Sequence, residues 1–230
     1  MNLVIVIPTY NEKENIRPLA QAILKIMPQT RILLVDDNSP DGTGETSDAL
    51  AKQYSQITVL HREKKDGLGR AYIAGFKEAL KMNPDYIIQM DADFSHNPEY
   101  IPHFLREIKN YDLVLGSRFI SGKKHPLHVS TMSVWANRYA RWILGLKISD
   151  CLGGFKCFRR ELFEKIDLDS FISKGFVFQA EFIYKTHKKG FSIKEIPINF
   201  YKRRTGKTKK SIKIMLEAFF KILLLRLRRL

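Results

Sequence analysis

The sequence of 230 residues is 44% hydrophobic and 27% charged, as in a typical globular protein, which excludes a disordered chain, a collagen and a long coiled coil. No apolar run approaches the about 20 residues of a membrane-spanning helix, and a secretory signal is not expected at the N-terminus. The net charge of +15 is concentrated at the C-terminus, where residues 200–230 contain eleven lysines and arginines and one acid, Glu217.

Short apolar runs alternate with helical patterns over the first 120 residues. The runs rich in β-branched residues predict strands at 3–7, 31–35, 57–60, 86–90 and 113–115. Between them, helices are predicted at 11–26, with Asn11 as the N-cap, and at 43–54, 68–81 and 98–109. Strands that alternate with helices at this spacing indicate right-handed βαβ units and an α/β fold with a mostly parallel sheet flanked by helices.

The pattern is looser after Ser117. Helices are predicted at 130–144 and 178–188, and strands at 155–158 and 192–198. A final amphipathic helix is predicted from about residue 210. The pattern alone does not give the places of these elements in the sheet.

Polar and charged side chains follow the predicted strands. Because ligands bind beyond the carboxyl ends of parallel strands, these side chains predict a binding site at one edge of the sheet. The candidates are Pro8, Tyr10 and Glu12 after the first strand, Asp36 and Asp37 after the second, Asp91 and Asp93 after the fourth, and Arg118 after the fifth.

Asp91 and Asp93 follow an apolar strand with one alanine between them. Two carboxylates at this spacing can share a hard divalent cation, Mg²⁺ or Mn²⁺, which would bridge the phosphates of a nucleotide. The alternative is a pair of solvated loop aspartates, and the place at the end of a buried strand favours the metal. His96 is near in sequence, but the six histidines show no ligand spacing, so an ordinary structural role for His96 is favoured.

Two other segments leave two interpretations open. Asp36 and Asp37 stand where α/β folds hold a ribose or a base with a carboxylate, or they cap the turn that Asp41-Gly42 indicates. The glycines of Gly67-Leu68-Gly69 can let the backbone approach a ligand, although a Gly-x-Gly is more often part of an ordinary loop.

Taken together, these residues resemble the family-2 glycosyltransferases of GT-A fold, and more narrowly the dolichyl-phosphate (polyprenyl-phosphate) mannose synthases. The broader likeness rests on residues 8–12, 35–39 and 91–93. The narrower one rests on further segments, which are residues 36–43, 67–69, 90–99, 116–118, 153–156, 174–179 and 203–209. The resemblance covers residues 2 to about 210 and implies a Rossmann-like, mostly parallel sheet flanked by helices.

The resemblance implies an inverting transfer of a hexose, typically mannose from the nucleotide sugar GDP-mannose, to polyprenyl phosphate. It places Asp91 and Asp93 at a divalent metal and makes them, with Arg118, the catalytic candidates. The residues implied at the nucleotide sugar are Pro8, Tyr10, Glu12, Asp36, Asp37 and Asp91. Those implied at the acceptor phosphate are Arg118, Ser133, Arg203 and Lys209.

Three other functions compete with this interpretation. A polyprenyl-phosphate glucosyltransferase or related sugar transferase would share nearly every one of these motifs. The basic tail suggests a nucleic-acid-binding protein, but an apolar helix follows it and no nucleic-acid module is recognisable, so no nucleic-acid partner is expected. A nucleotidyltransferase usually has a glycine-rich, basic phosphate loop after its first strand, where this chain has Pro8-Thr9-Tyr10-Asn11-Glu12.

Residues 1–210 are expected to form the catalytic domain, and residues 211–230 a basic amphipathic helix that associates with a membrane. Its apolar and basic residues suit an anionic membrane surface or a membrane-embedded partner protein, whereas the alternative is a core helix packed on the sheet. The two cysteines are too few for a disulfide scaffold. The expected location is therefore cytoplasmic, peripheral at the cytoplasmic face of the membrane.

Overall fold

The structure, a computed structural model, describes residues 1–120, 129–200 and 212–228. The strands are β1 (Leu3–Thr9), β2 (Arg31–Asp36), β3 (Ile57–His61), β4 (Tyr86–Gln89), β5 (Leu113–Ser117), β6 (Lys156–Arg159) and β7 (Ile193–Pro197). The helices are α1 (Lys13–Ile26), α2 (Thr43–Gln53), α3 (Leu68–Lys81), α4 (Ile101–Glu107), α5 (Thr131–Leu144), α6 (Arg160–Lys165), α7 (Phe178–Lys188) and α8 (Ile212–Leu227). Short 3₁₀ turns lie at Pro98–Tyr100 and Leu168–Ser170.

These strands form one seven-stranded sheet in the order β3-β2-β1-β4-β6-β5-β7. The pairs β3–β2, β2–β1, β1–β4 and β5–β7 are parallel, which confirms the predicted α/β class. Only β6 runs antiparallel to its neighbours β4 and β5. Because of this direction β6 begins where β4 and β5 end, and the residues just before it lie at the carboxyl edge of the sheet.

Strands β1, β2, β4 and β5 are mostly buried on both faces because helices cover both. One core cluster takes alternate strand residues, such as Val4 and Val6, and adds residues of α3, α5, α6, α7 and α8. The other takes the intervening residues, such as Ile5, and adds residues of α1, α2 and α4. This alternation explains why the strands read as continuous apolar runs in the sequence.

The predicted helix boundaries differ from the observed ones at two sites. Asn11 is not an N-cap: it has a φ of 61°, and α1 begins at Lys13 after Glu12. The predicted helix at 98–109 is divided into a 3₁₀ turn and α4, and the side chain of Asn97 caps the turn by accepting a hydrogen bond from the Glu99 amide. The short α6 was not predicted.

Among the described residues, no helix combines the length and the apolar character that crossing a bilayer requires. Cys151 and Cys157 are both buried and free.

Candidate active site

The loops after β1 and β2 are joined by hydrogen bonds from backbone to side chain. The amide of Asn11 donates to the Ser39 hydroxyl at 3.1 Å, and the amide of Glu12 donates to the Thr43 hydroxyl at 2.9 Å. Loop amides left unpaired by the end of a strand need such partners. The predicted nucleoside-binding residues after β1 are thus fixed beside those after β2.

Asp36 and Asp37 have different surroundings. Asp36 is 2% exposed and accepts from the Ser39 amide at 3.1 Å and the Ser39 hydroxyl at 2.6 Å, so it caps the chain reversal directly after β2. Asp37 forms an ion pair with Arg62. Burial raises the pKa of the Asp37 carboxyl, and the charge of Arg62 opposes that rise. Of the two interpretations of this pair, turn capping describes Asp36.

The other residues predicted at the nucleotide lie on the same edge. Pro8 is within β1 and pairs with Val35 of β2. The ammonium of Lys65 lies 3.5 Å from the centre of the Tyr10 ring. The Glu12 carboxylate accepts from the Asn15 side chain at 2.7 Å.

Asp91 and Asp93 directly follow β4, and each carboxylate is held by a donor. The Tyr72 hydroxyl of α3 donates to Asp91 Oδ1 at 2.7 Å, and the Ser95 amide donates to Asp93 Oδ1 at 3.0 Å. Burial and the charge of Asp91 raise the pKa of Tyr72 well above its ordinary value, so its hydroxyl stays protonated and remains a donor. The Asp91 side chain is 29% exposed and therefore open to a ligand.

His96 contacts the loop that carries Asp91 and Asp93. Its Nδ1 accepts a hydrogen bond from the Asp91 amide at 3.1 Å, and its ring stacks on Phe155 with centres 4.9 Å apart. Burial lowers the pKa of His96, so the neutral ring carries its proton on Nε2, which lies 3.9 Å from Asp91 Oδ2. The structural role favoured for His96 agrees with these contacts.

The oxygens of Asp91 and Asp93 suit Mg²⁺ or Mn²⁺. Within the described ranges, no group of three His, Cys, Asp or Glu side chains is placed to hold a metal. Magnesium commonly takes one or two protein carboxylates and completes its shell with water and substrate phosphates. A side chain at Gly154 would begin 3.2 Å from Asp91 Oδ2, so the glycine keeps this oxygen accessible. The two carboxylates therefore fit a cation that binds together with a diphosphate.

Arg118, after β5, is paired with Asp150. Its Nε and Nη2 donate to the two carboxylate oxygens of Asp150 at 2.6 and 2.7 Å, and its own amide donates to Oδ2 at 3.0 Å. Although burial opposes the charge, Asp150 raises the pKa of Arg118 above its ordinary value. The pair uses two of the five guanidinium N–H groups, so Arg118 is oriented with three N–H groups outside the pair.

The turn Gly153-Gly154 lies between the two charged groups. A Cβ at Gly153 would lie 3.3 Å from Asp150 Oδ2, and one at Gly154 would approach Asp91. Larger residues at either position would crowd a carboxylate. The turn therefore lets the acidic pair after β4 and the arginine pair after β5 occupy neighbouring places.

A buried lysine holds the same turn from the sheet side. Lys156 is 0% exposed, and its ammonium donates to the Gly153 carbonyl at 2.6 Å and to the Gln179 side chain. The Gln89 side chain donates to the Gly154 carbonyl at 2.8 Å. Burial lowers the pKa of Lys156 from 10.5 to about 7.

Three of these residues were not predicted as site residues: Tyr72, Asp150 and Lys156. Tyr72 resembles any other core residue of an amphipathic helix, so the sequence offers no signal for it. Asp150 stands shortly before a Gly-Gly pair, which is the signal that could have drawn attention to it. Lys156 ends a segment that contributed to the family resemblance, without a role assigned to it.

Of the remaining predicted acceptor residues, one lies within the described residues. Ser133 lies in the first turn of α5, where its amide donates to Ser130 Oγ at 3.3 Å and the two hydroxyls are 2.9 Å apart. Arg203 and Lys209 lie outside the described residues.

Comparison with known proteins identifies the family to which the chain belongs. The sequence model of Glycosyl transferase family 2 matches residues 4–167. A polyprenol monophosphomannose synthase of Mycolicibacterium smegmatis is 41% identical over 223 residues, which are 95% of this chain and 84% of that protein. An undecaprenyl-phosphate mannosyltransferase of Micrococcus luteus is 40% identical over 221 residues, which are 95% of this chain and 91% of that protein.

A solved structure supports the fold. The crystal structure of glucosyl-3-phosphoglycerate synthase from Mycobacterium tuberculosis in complex with Mn²⁺, uridine-diphosphate and glucosyl-3-phosphoglycerate matches with a TM-score of 0.71 and 18% identity, over 98% of this chain and 79% of that one. The predictions of the family, the GT-A fold and a glycosyltransferase activity are confirmed. The chain belongs to glycosyl transferase family 2 and is a hexosyltransferase of GT-A fold.

Proposed function

We propose that this enzyme transfers mannose from GDP-mannose to the phosphate of a polyprenol. The names of the two relatives described above support the sugar and the acceptor. The observation that carries the proposal is the adjacency of two charged groups, the carboxylates after β4 and the Arg118–Asp150 pair after β5, since neighbouring residues Gly153 and Gly154 approach Asp150 and Asp91. One group suits a metal-bound diphosphate and the other suits an acceptor phosphate.

On the donor side, Asp91 and Asp93 would hold Mg²⁺ or Mn²⁺. The cation would neutralise charge that develops on the departing nucleoside diphosphate. Pro8, Tyr10, Glu12 and Asp37 would contact the nucleoside, and Asp36 would hold the loop that presents them. Tyr72 keeps the Asp91 carboxylate oriented without neutralising it, since it donates a hydrogen bond and stays protonated.

On the acceptor side, the chemistry requires no general base. The second pKa of a phosphate monoester is about 6, so the acceptor is already largely dianionic at neutral pH. Arg118, oriented by Asp150, would bind this phosphate, and Ser133, Arg203 and Lys209 are proposed to assist. An oxygen of the phosphate attacks the anomeric carbon opposite the leaving diphosphate, which inverts the configuration.

A lipid acceptor places the reaction at a membrane. We propose that the enzyme works as a peripheral protein at the cytoplasmic face. The basic and apolar C-terminal segment 211–230 supports a contact with anionic lipid or with a membrane-embedded partner protein.

The test is transfer from a panel of labelled nucleotide sugars to polyprenyl phosphate in detergent. Label from GDP-mannose is expected in the organic phase, and Asp93→Asn is the inactive control. Preferential use of UDP-glucose would replace the proposed function with a glucosyltransferase. Label in no lipid product would contradict transfer to a polyprenyl phosphate.

A further inference from the structure

Helix α5 exposes two large aromatic side chains. Trp135 is 69% exposed and Trp142 is 78% exposed, and they are the only two tryptophans of the chain. Residues seven apart lie on the same side of a helix. The opposite side of α5 contributes Asn137, Ala140 and Leu144 to the interior, so the tryptophans are not required by the core.

Helix α8 also has an apolar face that the core does not use. Within residues 218–227, the part of α8 whose side chains the structure describes, the buried residues are Ala218, Ile222 and Leu225. Phe220, Leu224 and Leu227 are 64%, 47% and 73% exposed. At about 3.6 residues per turn, these three lie on the side of α8 opposite the buried three. One face of α8 thus packs in the protein and the other faces outward.

The two helices form one surface, because they pack side by side through Tyr139 and Phe219. These rings stack with centres 4.4 Å apart, and the Tyr139 hydroxyl donates to the Phe219 carbonyl at 3.2 Å. Tyr139 lies between Trp135 and Trp142 along α5. We define the α5–α8 surface by eight exposed residues of α5, of α8 and of the position after it: Trp135, Arg138, Trp142, Phe220, Leu224, Arg226, Leu227 and Arg228.

The charge of the α5–α8 surface is positive. The guanidinium of Arg138 lies 5.9 Å from the centre of the Trp135 ring, and Arg138, Arg141, Trp142 and Leu146 line a cleft of about 260 Å³. Arg226 on α8 and Arg228 just after it are exposed. Neither α5 nor residues 218–228 contain an aspartate or a glutamate. The partner of this surface should therefore present both anionic groups for the arginines and apolar groups for the aromatic and aliphatic side chains.

We propose that the α5–α8 surface docks on an anionic lipid bilayer, with Trp135 and Trp142 at the level of the headgroups and the arginines on lipid phosphates. Tryptophan favours this interfacial layer because its ring is apolar and its N–H is polar. A second copy of the same surface would place arginines against arginines, which disfavours self-association. Exposed aromatic and aliphatic side chains flanked by basic ones match a lipid surface.

Docking through α5 would bring the acceptor end of the site to the lipid. Asn137 of α5 donates to the Ser149 carbonyl and accepts from the Cys151 amide at 2.9 Å. These two residues flank Asp150, the partner of Arg118. In this respect the inference rests on the proposed function, since a lipid-linked acceptor is what gives the orientation its use.

The two tryptophans make the test specific, since the tryptophan fluorescence of the whole protein comes from α5. On addition of vesicles containing phosphatidylglycerol, the emission should shift to shorter wavelength, and lipids brominated near the headgroup should quench it. Vesicles of phosphatidylcholine alone should give a much smaller change. Emission unchanged by anionic vesicles would overturn the proposal.

Charge-reversal variants supply the matched comparison. Arg138→Glu/Arg226→Glu should weaken partitioning into anionic vesicles by roughly tenfold or more, because each basic residue near such a surface contributes to binding. Lys25→Glu/Lys52→Glu makes the same change of net charge at exposed positions of α1 and α2, which cover the other face of the sheet, and should bind nearly as the wild type. Equal binding of the two variants would overturn the proposal, as would a dimer in sedimentation that Trp135→Ser/Trp142→Ser dissociates.

The chemistry is tested separately with a short, water-soluble prenyl phosphate. The Arg138→Glu/Arg226→Glu variant should transfer sugar to this acceptor at the wild-type rate and to long-chain lipid in vesicles more slowly. Failure of the wild type to use any prenyl phosphate would refute the proposed function and leave vesicle binding as the measure of the surface. An equal rate of both proteins on vesicle lipid would refute the α5–α8 surface alone.

Discussion

The charged side chains of the candidate site are each oriented by a partner from another part of the chain. Tyr72 of α3 donates to Asp91 after β4, and Asp150, before β6, pairs with Arg118 after β5. A group that is already oriented loses less conformational freedom when its ligand binds. Substitution of Tyr72 or Asp150 should therefore weaken ligand binding by Asp91 or Arg118, because the remaining side chain would no longer be held in one orientation.

Asp93→Asn tests the donor side. The amide keeps the shape of the side chain and an oxygen for the Ser95 amide, but it removes the negative charge. We expect turnover to fall by roughly 100-fold or more, as when a group that stabilises transition-state charge is lost. Transfer rates measured across Mg²⁺ and Mn²⁺ titrations would show this, and EDTA should inhibit the wild type reversibly. Asp169→Asn, at an aspartate whose side chain is 75% exposed, is the control, and full activity of metal-free wild type would contradict the role.

Arg118→Ala tests the acceptor side, but it also leaves Asp150, which is 0% exposed, without its partner. Breaking a buried ion pair on one side commonly costs about 3–5 kcal/mol of stability. Arg118→Ala/Asp150→Ala removes both charges and should recover part of that stability without recovering use of the acceptor. Urea denaturation and the KM for a soluble prenyl phosphate measure the two effects, with calorimetry of donor binding as the control. If the double variant regained acceptor use, Arg118 would have only a structural role.

Sequence reasoning could identify the charged candidates but not their partners. Asp91, Asp93 and Arg118 stand within three residues of the ends of predicted strands, so the rule for ligand sites in parallel sheets is enough to select them. Tyr72 and Asp150 reach the site only through the packing of α3 and the turn before β6. Contacts between residues far apart in the sequence cannot be predicted from the local spacing of residue types.

Lys156 should make stability depend on pH. Burial lowers its pKa to about 7, whereas the same lysine in the unfolded chain keeps its ordinary value of 10.5. Between these values the unfolded state binds more protons, so this residue makes the free energy of unfolding rise with pH and imposes its full burial cost below the window. Urea denaturation of the wild type and Lys156→Met at several pH values should show the wild type gaining stability relative to the variant from pH 7 to pH 10. Parallel pH profiles would contradict a buried lysine of lowered pKa.

At the level of elements, the antiparallel strand β6 does most to shape the site. A strand parallel to β4 would have brought its far end to this edge, whereas β6 presents its beginning and, just before it, Gly153-Gly154. The sequence predicted a strand here, since Phe155 and its neighbours are apolar. Its direction depends on the path of the chain after α5, which the local pattern does not contain.

The segment Gly67-Leu68-Gly69 at the start of α3 makes a second close approach, to the backbone of another loop. A Cβ at Gly69 would lie 2.6 Å from the Ser173 carbonyl oxygen, and the Gly69 amide donates to the Lys174 carbonyl at 2.7 Å. The interpretation of this segment as an ordinary loop is only partly right, because Gly67 precedes α3 whereas Leu68 and Gly69 are its first two residues. Glycine is required here because the loop before α7 packs directly on the start of α3.

Gly69→Ala should therefore destabilise the fold. The added methyl overlaps a backbone atom that cannot rotate away, and such overpacking typically costs about 1–3 kcal/mol. Gly175→Ala is the matched control, because nothing lies within 4 Å of a Cβ at Gly175. Thermal and urea denaturation of both variants give the comparison, and equal stability of the two would contradict the close approach.

At the level of the whole molecule, the sheet separates two core clusters, and α8 belongs to one of them. Ala218, Ile222 and Leu225 are buried with residues of α5 and α7, although the helix comes last in the chain. The amphipathic pattern in the sequence was compatible with a core helix and with a membrane helix. The structure gives α8 one buried face and one exposed face, so the pattern alone could not choose between them. The boundary at residue 210 stays a prediction.

Deletion of residues 211–230 tests whether α8 is separable from the domain. Full burial of an isoleucine or leucine contributes about 1.5–3 kcal/mol, and Ile222 and Leu225 are 2% and 0% exposed. The deletion should therefore lower the free energy of unfolding by roughly 3–6 kcal/mol, measured by urea denaturation. Phe220→Ser/Leu224→Ser changes only the exposed face and should remain within about 1 kcal/mol of the wild type. If the deletion left the unfolding midpoint unchanged while the protein stayed folded, α8 would be an appendage and not part of the core.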